Sequence, residues 1–224
     1  MKKIAKVKLR LFIKEYTGLF SFIVLMVFFR SAVADWYTVP TGSMQPTIEI
    51  GDRVVVNKMA YDLKVPLTNI TLTRMSEPNR GDIIVFESKA AENRLIKRVI
   101  GLPGDKVSMT NEVLTINGKR LNYALNVTEN HGKQTLENLV GFKHIVKYDP
   151  TRSPNLASFN TVTVPADHYL VLGDNRRNSA DSRVYGFVPR EELKGKAHHV
   201  AFSLNYDNYY LPKTDRYLKN LYKL

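Results

Sequence analysis

From Tyr16 to Phe29 the chain carries no charged residue, and Leu19, Phe20, Phe22, Ile23, Val24, Leu25, Met26, Val27, Phe28 and Phe29 leave no polar face for a helix packed in water. Such a run belongs in a membrane or a translocon. Its fourteen residues span only ~21 Å at ~1.5 Å per residue. Continued past Arg30 to Ala34 the segment reaches ~28 Å, close to the hydrocarbon thickness of a bilayer. Arg30 then falls near an interface, where a long side chain snorkels toward headgroups. Lys2, Lys3, Lys6, Lys8, Arg10 and Lys14 precede the run with only Glu15 against them. By the positive-inside rule this leader stays in the cytoplasm and everything beyond residue 36 is exported. The expected organisation is a basic leader 1–15, a transmembrane helix 16–34 and an extracytoplasmic domain 35–224. Ala32-Val33-Ala34 also fits the cleavage site of a removable signal peptide, while Trp36 and Tyr37 suit the interfacial anchors of a retained helix.

Charge gains meaning from this layout. The chain of 224 residues has 33 lysines and arginines against 21 acids, a net +12, which by itself points to nucleic acid or an anionic membrane surface. The leader supplies +5 of it, and export of the remainder makes nucleic acid the wrong partner. With no cysteine, disulfides, thiolate metal sites and cysteine nucleophiles are excluded.

Past residue 36 the pattern turns to short β-type runs: Arg53–Val56, Asp82–Phe86, Leu95–Ile100, Val113–Ile116, Thr161–Val164, Tyr169–Leu172 and Val200–Phe202. Asn117-Gly118 is a two-residue hairpin signal. The expected fold is mainly β, a barrel-like sheet domain behind the N-terminal helix. Residues 122–160, with Asn130-His131-Gly132, Asp149-Pro150 and Ser153-Pro154-Asn155, show few strand signals and read as an insertion of long loops. The tail from Tyr206 mixes tyrosines with Lys213, Arg216, Lys219 and Lys223, which suits a bilayer surface or an ordinary solvated end.

Three stretches carry candidate chemistry. Thr41-Gly42-Ser43-Met44-Gln45-Pro46 sets a serine in a loop stiffened by proline; read alone, Ser43 is a turn residue or a nucleophile. In Leu95-Ile96-Lys97-Arg98-Val99-Ile100 alternation puts Lys97 on the face of Leu95 and Val99, and Arg98 on the opposite one. A buried Lys97 loses ammonium hydration and becomes a neutral base near pH 7, whereas a buried Arg98 stays charged and demands a carboxylate. The alternative is an edge strand with two solvated gatekeepers. Gly173-Asp174-Asn175-Arg176-Arg177-Asn178-Ser179-Ala180-Asp181-Ser182-Arg183 reads as a polar surface loop or as a site.

Together these blocks, with Gly51–Lys58 and Arg80–Phe86, resemble the type I signal peptidases, or leader peptidases, membrane-anchored serine proteases with a Ser-Lys dyad. The resemblance covers residues 30–116 and 160–204 and leans toward the Gram-negative branch. It implies a membrane-bound endopeptidase that cuts Ala-x-Ala sites of exported preproteins at the outer face of the bacterial inner membrane, with no cofactor and no metal. Ser43 is then the nucleophile and Lys97 the general base, so that His131, His144, His168, His198 and His199 are structural or surface residues. The Ser43 amide and the Thr41 hydroxyl form the oxyanion hole. Ser179 orients the lysine amine, Asp174 pairs with Arg98, and Asp181 pairs with Arg183. Val39, Met44, Ile48, Leu95 and Ile96 line shallow apolar pockets for small substrate side chains. Two alternatives remain: a maturation peptidase of a conjugation system sharing the dyad, and a silent membrane-tethered β domain that only binds exported chains. Arg177 departs from the family, which often has an acid there.

Overall fold

Valine- and isoleucine-rich segments separated by glycine and asparagine turns fold into an antiparallel β structure behind one long helix. The computed structural model describes residues 2–68, 70–129 and 132–223. Helix α1 (Lys2–Ala32) leads into β1 (Ala34–Thr38), β2 (Asp52–Asn57), β3 (Asp62–Lys64), β4 (Thr71–Arg74), β5 (Ile83–Ser88) and β6 (Asn93–Gly101). The chain continues through β7 (Lys106–Thr110), β8 (Val113–Ile116), β9 (Lys119–Arg120), β10 (Asn122–Glu129), β11 (Gly132–Leu139) and β12 (Phe142–Tyr148). It closes with β13 (Phe159–Thr163), β14 (His168–Leu172), the single-turn α2 (Ser182–Tyr185), β15 (Val188–Pro189), β16 (Leu193–Asn205), β17 (Leu211–Pro212) and β18 (Lys219–Asn220).

The principal sheet runs in the order β1-β2-β16-β5-β6-β14-β15, with β17 and β18 paired onto β16. β2 alternates in the expected way, Val54 and Val56 facing the core, whereas β5 is buried on both faces from Ile83 to Phe86 because it lies inside the sheet. The long β16 bonds to β5 through Leu193–Lys196 and to β2 through Lys196–Ser203, so it joins the β1-β2 and β5-β6 halves of the sheet. A smaller sheet, β13-β7-β8-β9, turns at Asn117 (φ 51°) and Gly118 (φ 78°). Both residues take the left-handed conformation that a two-residue hairpin requires.

Three differences from the sequence reading have physical causes. The helical conformation starts at Lys2, ahead of the expected span at Tyr16, since residues 2–15 contain no glycine or proline to break it. It stops at Ala32, because Ala34 already pairs with Asn57 in the sheet, and Lys58 Nζ bonds to the Arg30 and Ser31 carbonyls at 3.0 and 3.3 Å. Among the described residues no helix is long and apolar enough to cross a membrane, while Leu19, Phe20 and Phe22 through Phe28 are all exposed. Second, residues 122–148 are not loops: β10, β11 and β12 form a three-stranded antiparallel sheet. The turn signal at Asn130 and His131 lies outside the described residues. Third, the tail, exposed at Tyr209, Tyr210, Tyr217 and Leu218, is fastened to the domain at a few points. Leu221 joins the core with Val54, Val56, Ile83 and Val200, and the Tyr222 hydroxyl accepts from the Ile83 N–H and donates to the Ala197 carbonyl. Buried Arg216 grips Asp52 at 2.6 and 2.8 Å.

Candidate active site

Ser43 sits in the loop joining β1 to β2, and this loop is pinned from both sides. Below it, Met44 and Ile48 enter the apolar core. Above it, the Asn175 N–H donates to the Ser43 carbonyl at 3.0 Å and the Asn175 amide donates to the Gly42 carbonyl at 3.1 Å. The Thr47 hydroxyl donates to Asp174 at 2.6 Å. The serine is therefore held by the chain that carries the Gly173–Arg183 stretch, 130 or so positions later in sequence.

Lys97 reaches Ser43 from β6. Its Nζ lies 2.9 Å from Ser43 Oγ and 3.0 Å from the Ile96 carbonyl, and the residue is only 3% exposed, which overturns the solvated gatekeeper alternative. Burial pulls the amine down to about 8, against the opposing fields of Asp181 and Asp174. Those carboxylates do not capture the amine because each is held by an arginine. Arg98, on the opposite face of β6, meets Asp174 through Nε at 2.8 Å and Nη2 at 2.6 Å. Arg183 meets Asp181 at 2.7 and 2.8 Å. Burial by itself raises both carboxyls, but the arginines outweigh it and hold them below their usual range. The contact sets a hydroxyl 2.9 Å from an amine that is half neutral near pH 8, an arrangement with the chemistry to supply a nucleophile and its base.

The pair opens into a cleft of about 330 Å³ whose walls include Thr41, Val39, Met44, Ile48, Leu95 and Ile96, so the five expected pocket residues and Thr41 gather around Ser43 and Lys97. The cleft runs between β1 and residues 93–97 of β6, ahead of the point where β14 pairs onto β6. A model of the signal peptidase, peptidase S26, family matches residues 13–202. The chain belongs to this family. It is 37% identical over 198 residues to signal peptidase I of Pseudomonas aeruginosa, covering 81% of this chain and 69% of that one. Signal peptidase I of Aquifex aeolicus is 33% identical over 228 residues, covering 85% and 84%. A crystal structure of a signal peptidase I from Enterococcus faecalis V583 is 32% identical over 55% of this chain and 97% of that chain, with a TM-score of 0.36. The protein is thus a hydrolase, a serine protease of the class that processes signal peptides.

Within this peptidase the remaining expected residues divide. Ser179 is buried beside Gly173, but both bonds of the lysine amine go elsewhere. The Ser179 hydroxyl meets no partner at hydrogen-bonding geometry among the described residues, although it lies near enough to Asp181 to help hold that carboxyl down. Arg177, the departure from the family pattern, pairs with Glu112 at 2.6 Å. His144, read as structural or surface, is buried between Glu137 at 3.4 Å and Asp174 at 3.8 Å and stacks on Phe142.

Four contributors had no role assigned in the sequence reading, although Gly173 and Asn175 belong to its third candidate stretch. Asn175 positions the serine loop, as described. Gly173 fits where nothing larger does: a Cβ there would stand 2.3 Å from Ser179 Oγ and 2.5 Å from the Ser43 carbonyl. Glu137 of β11 takes both Nη atoms of buried Arg176 at 2.8 Å. Lys147 of β12 donates to the Gln45 side chain at 3.2 Å. The signal for Glu137 was Arg176 itself, since a buried guanidinium needs a carboxylate. The other three had no separate signal.

Proposed function

We propose that this protein removes signal peptides from exported preproteins with Ser43 as nucleophile and Lys97 as general base. The observation that carries the reading is the 2.9 Å approach of a buried Lys97 amine, lowered to about 8, to Ser43 Oγ. As Oγ attacks the scissile carbonyl, the neutral amine takes its proton. The tetrahedral oxyanion is met by the Ser43 N–H and the Thr41 hydroxyl. Collapse breaks the C–N bond, the ammonium returns the proton to the leaving amine, and an acyl ester remains on Ser43. Lys97 then deprotonates a water, whose attack on the ester frees the signal peptide and restores the serine.

The apolar floor of Val39, Met44 and Ile48 and the wall of Leu95 and Ile96 suit small side chains, which supports cleavage after Ala-x-Ala. The exposed apolar surface of Leu19–Phe28, the basic residues preceding it and the interfacial pair of Arg30 stacked 4.9 Å over Trp36 support a single membrane anchor with the β domain on the outer face. The test uses detergent-solubilised protein and a preprotein bearing an Ala-x-Ala site. Wild type cleaves it, and Ser43→Ala and Lys97→Ala each lose ~10⁴-fold or more. Undiminished cleavage by either variant sinks the dyad.

A further inference from the structure

Beside the catalytic cleft, at its end away from Ser43 and Lys97, lies a second cavity of about 230 Å³ that the proteolytic chemistry does not use. Its position is set by Ser31, in the last turn of α1, and by four cations: Lys58 from the turn after β2, Lys64 of β3, Arg94 of β6 and Lys194 of β16. One lining carboxylate answers them. Glu87 accepts from Arg94 at 2.6 Å and from Lys194 at 3.0 Å, so a single negative charge is shared between two positive ones. Lys58 in turn shares Asp35 with Arg30, at 3.3 and 2.9 Å. Lys64 donates to the Leu193 carbonyl at 2.7 Å and lies 3.8 Å from Asp62, which Arg190 also engages at 2.9 Å while pairing with Glu77 at 2.9 Å. Counting Arg30 and Arg190, six cations thus meet four carboxylates in these pairs, Asp35, Asp62, Glu77 and Glu87. Burial, and the repulsion of Lys194 and Arg190 against the pull of Asp62, push the Lys64 amine below its ordinary value, as an anion in the cavity would reverse.

We propose that this cavity binds the phosphodiester headgroup of an anionic phospholipid. The inference rests on the reading that α1 is a membrane anchor, because that reading sets Ser31 and the cavity mouth at the bilayer surface. Three features favour lipid over a free anion. The cavity adjoins the end of the apolar helix. Leu67, Ile70 and Leu72, on the turn and strand next to it, are each more than 60% exposed, and the Leu67 N–H bonds to the Ser31 hydroxyl, so an apolar surface continues from helix to hairpin. The cations line a concavity rather than a flat patch, the arrangement that selects headgroups at a membrane face. Arg94, stacked 4.4 Å over Tyr37, belongs to the walls of both cavity and cleft. A bound headgroup therefore fixes the mouth through which an extended substrate leaves the bilayer.

The experiment titrates the detergent-solubilised full chain with short-chain phosphatidylglycerol, short-chain phosphatidylcholine and inorganic phosphate, and reads adducts by native mass spectrometry. Phosphatidylglycerol is expected to saturate one site on the wild type. Binding should weaken at least fivefold in Lys64→Gln/Lys194→Gln, recover in Lys64→Arg/Lys194→Arg, and stay unchanged in Lys119→Gln/Arg120→Gln, which removes the same charge from exposed β9. Equal binding of phosphatidylcholine overturns the proposal, as does equal weakening by the β9 pair. Phosphate binding the same residues as tightly as the lipid overturns the lipid assignment. Carbonate extraction of membranes carrying these variants reads the anchor separately, so that loss of the anchor reading and loss of the headgroup site give different results.

Discussion

In the proposed dyad, burial lowers the Lys97 amine and two arginines hold the nearby carboxylates, which makes its proton affinity adjustable from a distance. Lowered to about 8, the amine is mostly charged at neutral pH, so kcat/KM should rise with pH through a limb near 8. Arg183 lowers the amine while its partner Asp181 raises it. Arg183→Gln unmasks the Asp181 charge, and the limb should move to higher pH, with activity at pH 7 falling severalfold; Arg183→Lys keeps the charge and should return the limb toward its original position. A limb that stays in place in both variants separates Asp181–Arg183 from the dyad. Gly173 gives a steric test of the same site. Gly173→Ala drives a Cβ into the Ser43 carbonyl and the Ser179 hydroxyl, and displacing the nucleophile by about 1 Å costs ~10²-fold in rate. Single-turnover cleavage measures it, and a fully active alanine variant would show that the loop relaxes without moving Ser43.

The strand set was readable where burial is apolar. β2, β5, β6, β8 and β14 announce themselves through valine, isoleucine and leucine, and the hairpin after β8 through Asn117-Gly118. The sheet of β10, β11 and β12 was not readable, for a definite reason. In β11 the inward positions are Thr135, Glu137 and Leu139, and in β12 they include His144. A period of two is present in burial, but polar side chains occupy it, so no alternation of hydrophobicity betrays it. The strand is held inward by Glu137 and Arg176 rather than by hydrocarbon. Removing one member of such a pair leaves the other charged, buried and unanswered, which costs about 3–5 kcal/mol. Glu137→Gln should therefore lower stability by that amount in urea unfolding of the detergent-solubilised protein. It should also slow cleavage, because Arg176 bonds to the Gly173 carbonyl at 3.2 Å next to the serine loop. Loss of less than 1 kcal/mol would mean that β11 is not fastened through this pair.

Across the entire chain, the same ion pairs that escape the hydrophobic pattern tie together segments far apart in sequence: Arg98 to Asp174, Arg176 to Glu137, Arg216 to Asp52. The proposed dyad and pocket residues stand out in the sequence because they sit in short motifs, and the resemblance also implied the Arg98–Asp174 pair; the Arg176–Glu137 and Arg216–Asp52 links were not legible, because each partner is an ordinary polar residue until the fold buries it. One consequence is a two-stage response to acid. His144, caught among these pairs, is lowered from 6.5 to about 4 by burial and by the Arg98 charge, against the pull of Asp174 and Glu137. In that window the unfolded chain binds the proton and the native one does not, so stability rises with pH and is lost as pH falls from 6.5 toward 4, by up to about 3 kcal/mol. Asp174, Glu137 and Asp181 are also lowered, but from carboxylate values, so their contribution is intact above about 4.5 and disappears only below it. Exposed His198, lowered by partial burial and by His199, adds a smaller step in the upper window. Urea midpoints measured between pH 7 and 3.5 should fall in two steps. His144→Gln should remove most of the upper step and leave the lower one. An unchanged slope between pH 6.5 and 4.5 in that variant would show that His144 takes its proton within the folded protein, with the surrounding ion pairs rearranging to accept it.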